Sequence, residues 1–193
     1  FVANDGNATG PVQTDSINVT VTDSHLNATE VKYGFSGNAV CDGSDTYSTG
    51  FTSDVVFNIA ADHTDYLCLI ANDTLGHVSY QLVGQLNTDN TVPTFVTNDG
   101  TEAGPVQTDI INVTVIEINL NATSVEYGFS SDGTCDVADT YGNAFTSDVN
   151  FTIAGDNTSR LCVKASDNAW NANYSLDGIL NTDNTVPVVN VGA

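Results

Sequence analysis

The sequence predicts an all-β molecule built as two antiparallel β-sandwich domains in tandem, and three observations predict it. Residues 1–93 recur without a gap as residues 95–187, with about 55 of 93 aligned positions identical. Apolar and polar residues alternate with period two through both copies, as strands with one buried face require. No apolar stretch keeps a 3.6-residue period over a window long enough for a helix.

The strands can be placed in order. Ile17, Val19 and Val21 alternate with Asn18, Thr20 and Thr22, and Val31, Tyr33 and Phe35 with Lys32, Gly34 and Ser36. Val55, Phe57 and Ile59 continue the period, as do Val78, Tyr80 and Leu82, which are expected to face inward. Between them Tyr66-Leu67-Cys68-Leu69-Ile70-Ala71 is apolar throughout, as a central strand covered on both faces would be. Asn4-Asp5-Gly6 and Cys41-Asp42-Gly43-Ser44-Asp45 read as turns. Six or seven short strands per copy fit a sandwich. The expected domains are residues 1–94 and 95–188, with 189–193 opening a further repeat or forming a docking strand.

Three basic residues face 24 acidic ones, for a formal charge of −21. That balance excludes nucleic-acid binding and argues against an anionic membrane surface. The acids are nearly all aspartate, which concentrates in turns and in oxygen cages for hard cations. No apolar run is long enough to insert directly in a membrane as a helix.

The cysteines and asparagines indicate the compartment. Cys41 and Cys68 recur as Cys135 and Cys162, so one disulfide per repeat is expected. Closing such a loop stabilises a unit by ~3 kcal/mol in the chain-entropy account. Asn-X-Ser/Thr occurs at Asn7, Asn18, Asn27, Asn72, Asn112, Asn121, Asn150, Asn157 and Asn173, about double the chance frequency. Disulfides and N-glycans together point to an extracellular, cell-surface glycoprotein.

A family resemblance follows from short motifs. Tyr66-Leu67-Cys68-Leu69-Ile70-Ala71 resembles the Tyr-x-Cys-x-x-Ala stretch of immunoglobulin-like domains. Ala71-Asn72-Asp73-Thr74-Leu75-Gly76-His77 and Ala165-Ser166-Asp167-Asn168-Ala169-Trp170-Asn171 resemble the A-x-D-x-A-G-N turn of bacterial and archaeal Ig-like (Big-type) surface repeats. Asp89-Asn90-Thr91-Val92-Pro93 is similar to the linker of those repeats and to the Ca²⁺-binding joint of cadherins. The resemblance implies two Ig-like sandwiches. The first cysteine lies too near the second for an antibody-type bridge, so each disulfide is expected to tie the stretch after the third strand to the penultimate strand. Arg160 and Trp170 depart from the family pattern.

Chemistry is sparse. His25, His63 and His77 are replaced by Asn119, Asn157 and Asn171 in the second copy, which makes a triad or zinc site confined to one repeat a poor reading. No nucleophile-elbow, zinc-protease, P-loop or dinucleotide motif occurs, so the chain is expected not to be an enzyme. The one ligand site expected is Ca²⁺ at the junctions, from Asp5, Asp89, Asn90, Asn98, Asp99, Asp183 and Asn184. Trp170 is expected to pack at the end of its sandwich. The whole reads as a structural repeat of a surface filament, stalk or layer that self-associates, with an adhesin binding a glycan or protein receptor as the alternative. For the adhesin, the divergent stretches 37–40, 48–50 and 75–79 would be loops.

Overall fold

The computed structural model describes residues 1–4, 10–97 and 104–190. The chain forms two compact units, Phe1–Thr91 and Val92–Ala193. The division falls ahead of the expected boundary because Pro93 is fully buried and its carbonyl accepts a hydrogen bond from Asn173 Nδ2 at 2.8 Å.

Each unit is an Ig-like antiparallel β-sandwich. In the first, β1 (Val2–Asn4), β2 (Asp15–Thr20) and β5 (Phe57–Ile59) form a three-stranded sheet in the order β1-β2-β5. The second sheet has four strands in the order β4-β3-β6-β7: β3 (Lys32–Ser36), β4 (Thr46–Gly50), β6 (Tyr66–Asn72) and β7 (Val78–Gln85). One half of β2 pairs with β5, with Ile17 opposite Phe57, and the other with β1, with Asn18 opposite Asn4. The second unit repeats the plan. Its β9 (Asp109–Ile111) pairs with β13 (Phe151–Ile153), and its β10 (Val113–Ile116) pairs with β8 (Thr94–Thr97). Its larger sheet runs β12 (Tyr141–Ala144), β11 (Glu126–Ser130), β14 (Arg160–Ser166), β15 (Ala172–Ile179).

The core follows from the alternation. Ile17 and Val19 are fully buried and join Leu67, Leu69, Leu86 and Ala71, and the second unit assembles Ile111, Val113, Leu161, Val163 and Leu180 in the same way. Tyr33 lies flat on Phe57, ring centroids 4.8 Å apart, and Phe51 tilts against the same ring at 5.2 Å. Tyr127, Phe145 and Phe151 repeat the cluster. Such aromatic contacts add about 0.5–1.5 kcal/mol per pair beyond burial.

The Phe-Thr-Ser-Asp-Val motif explains itself locally. Ser53 Oγ accepts the N–H of Val21, and Asp54 donates its own N–H to Val19 O. Asp54 does so at φ 63°, a left-handed conformation that aspartate tolerates better than most residues, while its carboxylate takes the Thr20 hydroxyl. Ser147 and Asp148 do the same for β10.

One alternation reads differently in the structure. Val78 and Tyr80 of β7 are exposed, and Val83 is the residue of that strand packed on the core. The register of β6 against β7 shifts between Leu67 and Cys68, setting Tyr80 opposite Ile70 and Leu82 opposite Cys68. The apolar row of β7 therefore shares the outer face with the disulfide, where Tyr80 meets Tyr47 at 5.7 Å.

Candidate functional site

Both disulfides form as expected, Cys41–Cys68 and Cys135–Cys162, each within one unit. Cys41 lies between β3 and β4, and Cys68 lies on β6, so the bond ties the stretch after the third strand to the penultimate strand. It covers the outer face of β6 where Cys68 is completely buried. That is why the strand reads as apolar on both sides.

The motif Leu-Asn-Thr-Asp-Asn-Thr-Val-Pro, identical at residues 86–93 and 180–187, closes each sandwich where the chain leaves it. Thr88 exchanges backbone hydrogen bonds with His63, and its hydroxyl donates to Ala61 O. Asp89 donates its N–H to Val12 O. Asn90 Nδ2 donates to the carbonyls of Gln13, at 2.6 Å, and Ala60. The Asp62 carboxylate accepts the N–H of Asn90 at 2.6 Å and the Thr91 hydroxyl, and these bonds hold it below the usual aspartate pKa. Asn184, Thr185 and Asp156 rebuild the arrangement around Gln107 and Ala154. Asp62 and Asp156 were missed from the sequence. Their signal was there: within the divergent stretch 61–66, only Asp62 and Thr64 are kept in the second copy.

This clasp bears on the Ca²⁺ expectation. Asn90 and Asn184 present amide nitrogens, which are donors, to the carbonyl oxygens around them. One carboxylate oxygen of Asp89 and one of Asp183 accept a backbone N–H two residues on. Among the described residues no three His, Cys, Asp or Glu gather to hold a metal. Of the expected Ca²⁺ set, Asp5, Asn98 and Asp99 lie outside the described residues.

The sequons fall into distinct settings. Asn27 and Asn121 cap short 3₁₀ turns: each Oδ1 accepts the N–H and hydroxyl of the threonine two residues on, and among the described residues no hydrogen bond holds the nitrogen that a glycan would take. Asn112, between β9 and β10, donates from Nδ2 to Oδ1 of Asn150, the residue before β13. Asn157 Oδ1 accepts the N–H of Ser159, and Asn18 projects from β2 away from the core. Asn173 spends its nitrogen on Pro93 O, and Asn72 buries its Oδ1 with no hydrogen-bond partner among the described residues. Asn7 lies outside the described residues.

The turn before the last strand differs between the units. Asp73 accepts the N–H groups of Leu75 and His77 and the ring nitrogen His77 Nδ1 at 2.6 Å. The hydrogen bond that His77 donates lowers the Asp73 pKa to about 2, and the same bond, accepted by the Asp73 carboxylate, raises that of His77. In the second unit Asn171 replaces the imidazole, donating from Nδ2 to Asp167 at 2.7 Å. Trp170 does not pack as expected. It is 76% exposed at φ 70°, in the left-handed position that Gly76 fills in the first unit, because the turn fixes that backbone angle and aims the indole outward. The ring of His63 stacks on Phe35, centroids 4.0 Å apart. Of the divergent stretches expected as loops, residues 48–50 belong to β4 and residues 78–79 to β7.

No helix among the described residues is long and apolar enough to cross a membrane. No protein-family model matches the chain, and no curated protein matches it in sequence. Among solved structures, the chain is similar to the fibronectin(III)-like modules of Clostridium thermocellum CbhA, at 13% identity and a TM-score of 0.37, over 99% of this chain and 100% of that one.

Proposed function

We propose that the chain is a tandem structural module of an extracellular filament, stalk or surface layer. The observation that carries this reading is the repeated exit clasp: each unit closes itself with the same eight residues and its own disulfide, then passes the chain on. Architecture serving length and spacing reuses one self-sufficient body in this way, each copy stable on its own account. Asn27 and Asn121, at matched positions with unengaged nitrogens, are the best-presented glycan acceptors, and glycopeptides bare at both would remove the glycan coat from this reading. Electron microscopy of native material should show filaments or arrays with a beaded repeat. Isolated monomers at native abundance would overturn the proposal.

A second reading, an adhesin, is favoured by Trp170. A bulky residue held at positive φ and left in solvent is costly to the fold and is presented to whatever approaches that turn. Glycan-array binding that disappears in Trp170→Ala would support the adhesin, and an array blank for the unaltered chain would remove it.

A further inference from the structure

The two copies share one strand's inward residues and differ on its solvent side. In the first unit Ser16, Asn18 and Thr20 of β2, followed by Thr22 and Ser24, point away from the core on which Ile17 and Val19 pack. In the second unit β9 and β10 carry Ile110, Asn112, Thr114, Ile116 and Ile118 at those positions. Three hydroxyl side chains have become isoleucines, while the inward row Ile111, Val113 and Val115 is unchanged from Ile17, Val19 and Val21. Ile110 is 62% exposed, Ile116 56% and Ile118 97%. Val96 of β8, also more than half exposed, lies diagonal to Ile116, since Val96 pairs with Thr114 and Thr94 with Ile116. At the end of the row Asn168 donates its N–H to Asn119 O at 2.9 Å, which brings the turn carrying Trp170 beside Ile118. A strand apolar on both sides is ordinarily covered on both, and an exposed apolar patch marks a contact surface.

We infer that this face of the second unit packs against the same face of a second copy of the chain. Two observations select a second copy. A sheet face is matched in shape by another sheet face. The row Ile110, Asn112, Thr114, Ile116 also reads the same in both directions by polarity. Laid antiparallel on itself about Val113, it sets Ile110 against the second copy's Ile116 and Asn112 against the second copy's Thr114, apolar on apolar and polar on polar. Ile118 and Trp170 extend the contact beyond the row. Asn112 keeps its nitrogen on Asn150 Oδ1 at 2.8 Å, away from a glycan that would block the face. The contact is isologous and closes at two chains, so it joins neighbouring filaments side by side. Asp148, whose carboxylate accepts the Thr114 hydroxyl, faces its own counterpart across the two-fold axis, and each chain carries a formal charge of −21. Like charge therefore opposes the approach, and salt screens it. Five large side chains fall short of the roughly 800 Å² per partner of a standard interface, which makes the contact weak. The inference deepens the filament reading and rests on it for its setting, but the contact itself is tested on the purified chain.

The test is sedimentation of the chain from micromolar to millimolar concentration, in dilute buffer and in molar NaCl. A monomer–dimer equilibrium is expected, stronger in molar salt. The emission of Trp170, the single tryptophan, should move to shorter wavelength as the dimer forms. Ile116→Thr combined with Ile118→Ser restores the first unit's residues at exposed positions. It should weaken association roughly tenfold or more with the melting temperature unchanged, and Trp170→Gly should weaken it likewise. Val137→Thr, at an 81% exposed site between β11 and β12, should leave association as it is. A chain that stays monomeric at millimolar concentration in molar salt overturns the inference. So does dimerisation undiminished in the double variant, an equal loss in Val137→Thr, dimerisation that leaves the Trp170 emission unmoved, or a glycan on Asn112. Native filaments that still pair side by side in the double variant would sink the inference alone. Native monomers whose purified chain dimerises through this face would sink the filament reading and leave the contact standing.

Discussion

At the scale of the residue, single polar side chains decide how each sandwich ends. Asn90 ties two carbonyls from separate stretches of chain to the exit, and no other residue type offers two donors of that reach without charge. Asn90→Ala should lower the stability of the first unit by about 1–2 kcal/mol, at roughly 1 kcal/mol per hydrogen bond, read from denaturant melts. A change within error would show that solvent replaces the clasp. The Asp73–His77 pair makes a prediction about pH. The folded pKa of His77 is raised above 6.5, so its contribution is present below 6.5 and lost as pH rises through the raised value. Asp73 is depressed from 3.8 to about 2, so its contribution is present above 3.8 and lost as pH falls towards 2. The turn is therefore best held between those limits, and its support is exposed enough to be salt-sensitive. An NMR titration should place the His77 midpoint above 6.5, and Asp73→Asn should return it there. A midpoint already at 6.5 in the unaltered chain would contradict the pairing.

At the scale of the element, the strands were legible where side-chain period alone sets the face. Ile17 and Val19 in β2, and Leu67, Leu69 and Ala71 in β6, are buried as their spacing requires. Strand β7 was misread because it carries an extra residue: Leu67 faces Gly84 and Cys68 faces Leu82, which leaves Val83 between them and sets Val78 and Tyr80 on the outer face, and side-chain period alone does not record where pairing sets the face. The same limit hid the clasp: Asp62 and Asn90 stand far apart in sequence, and their proximity is a product of the fold. The disulfides were legible because duplication supplied matched pairs, and Trp170 was not, because its orientation follows from a backbone angle. Gly34 shows what sequence alone leaves unsaid about the Tyr-Gly-Phe-Ser motif. Where β3 shifts register against β4, a Cβ at Gly34 would overlap the Thr46 carbonyl, and one at Gly128 would overlap that of Thr140. Gly34→Ala is expected to cost about 3 kcal/mol, the upper range for overpacking, because backbone rather than a movable side chain is in the way. Melting unchanged by Gly34→Ala would mean that the strands separate easily.

At the scale of the whole molecule, duplication is what the chain displays. The exit clasp is closed by amide and hydroxyl donors, so each unit should fold without divalent cations. Thermal melts with calcium and with chelator should coincide within about 1 °C, because a cation bound only to the folded state would raise stability by mass action. A rise of several degrees with calcium would return the junction acids to the role of ligands.

Pulled from its two ends, such a chain would not give up all its length. The Cys41–Cys68 and Cys135–Cys162 bonds each short-circuit a loop spanning 27 positions of sequence, which tension cannot straighten. At roughly 3.3–3.6 Å per extended residue, that withholds about 90 Å from the extension released when one unit gives way. Force spectroscopy should record short steps that lengthen by this amount once a reductant is added. A strand of such modules would yield in small increments and keep its reach nearly constant under load.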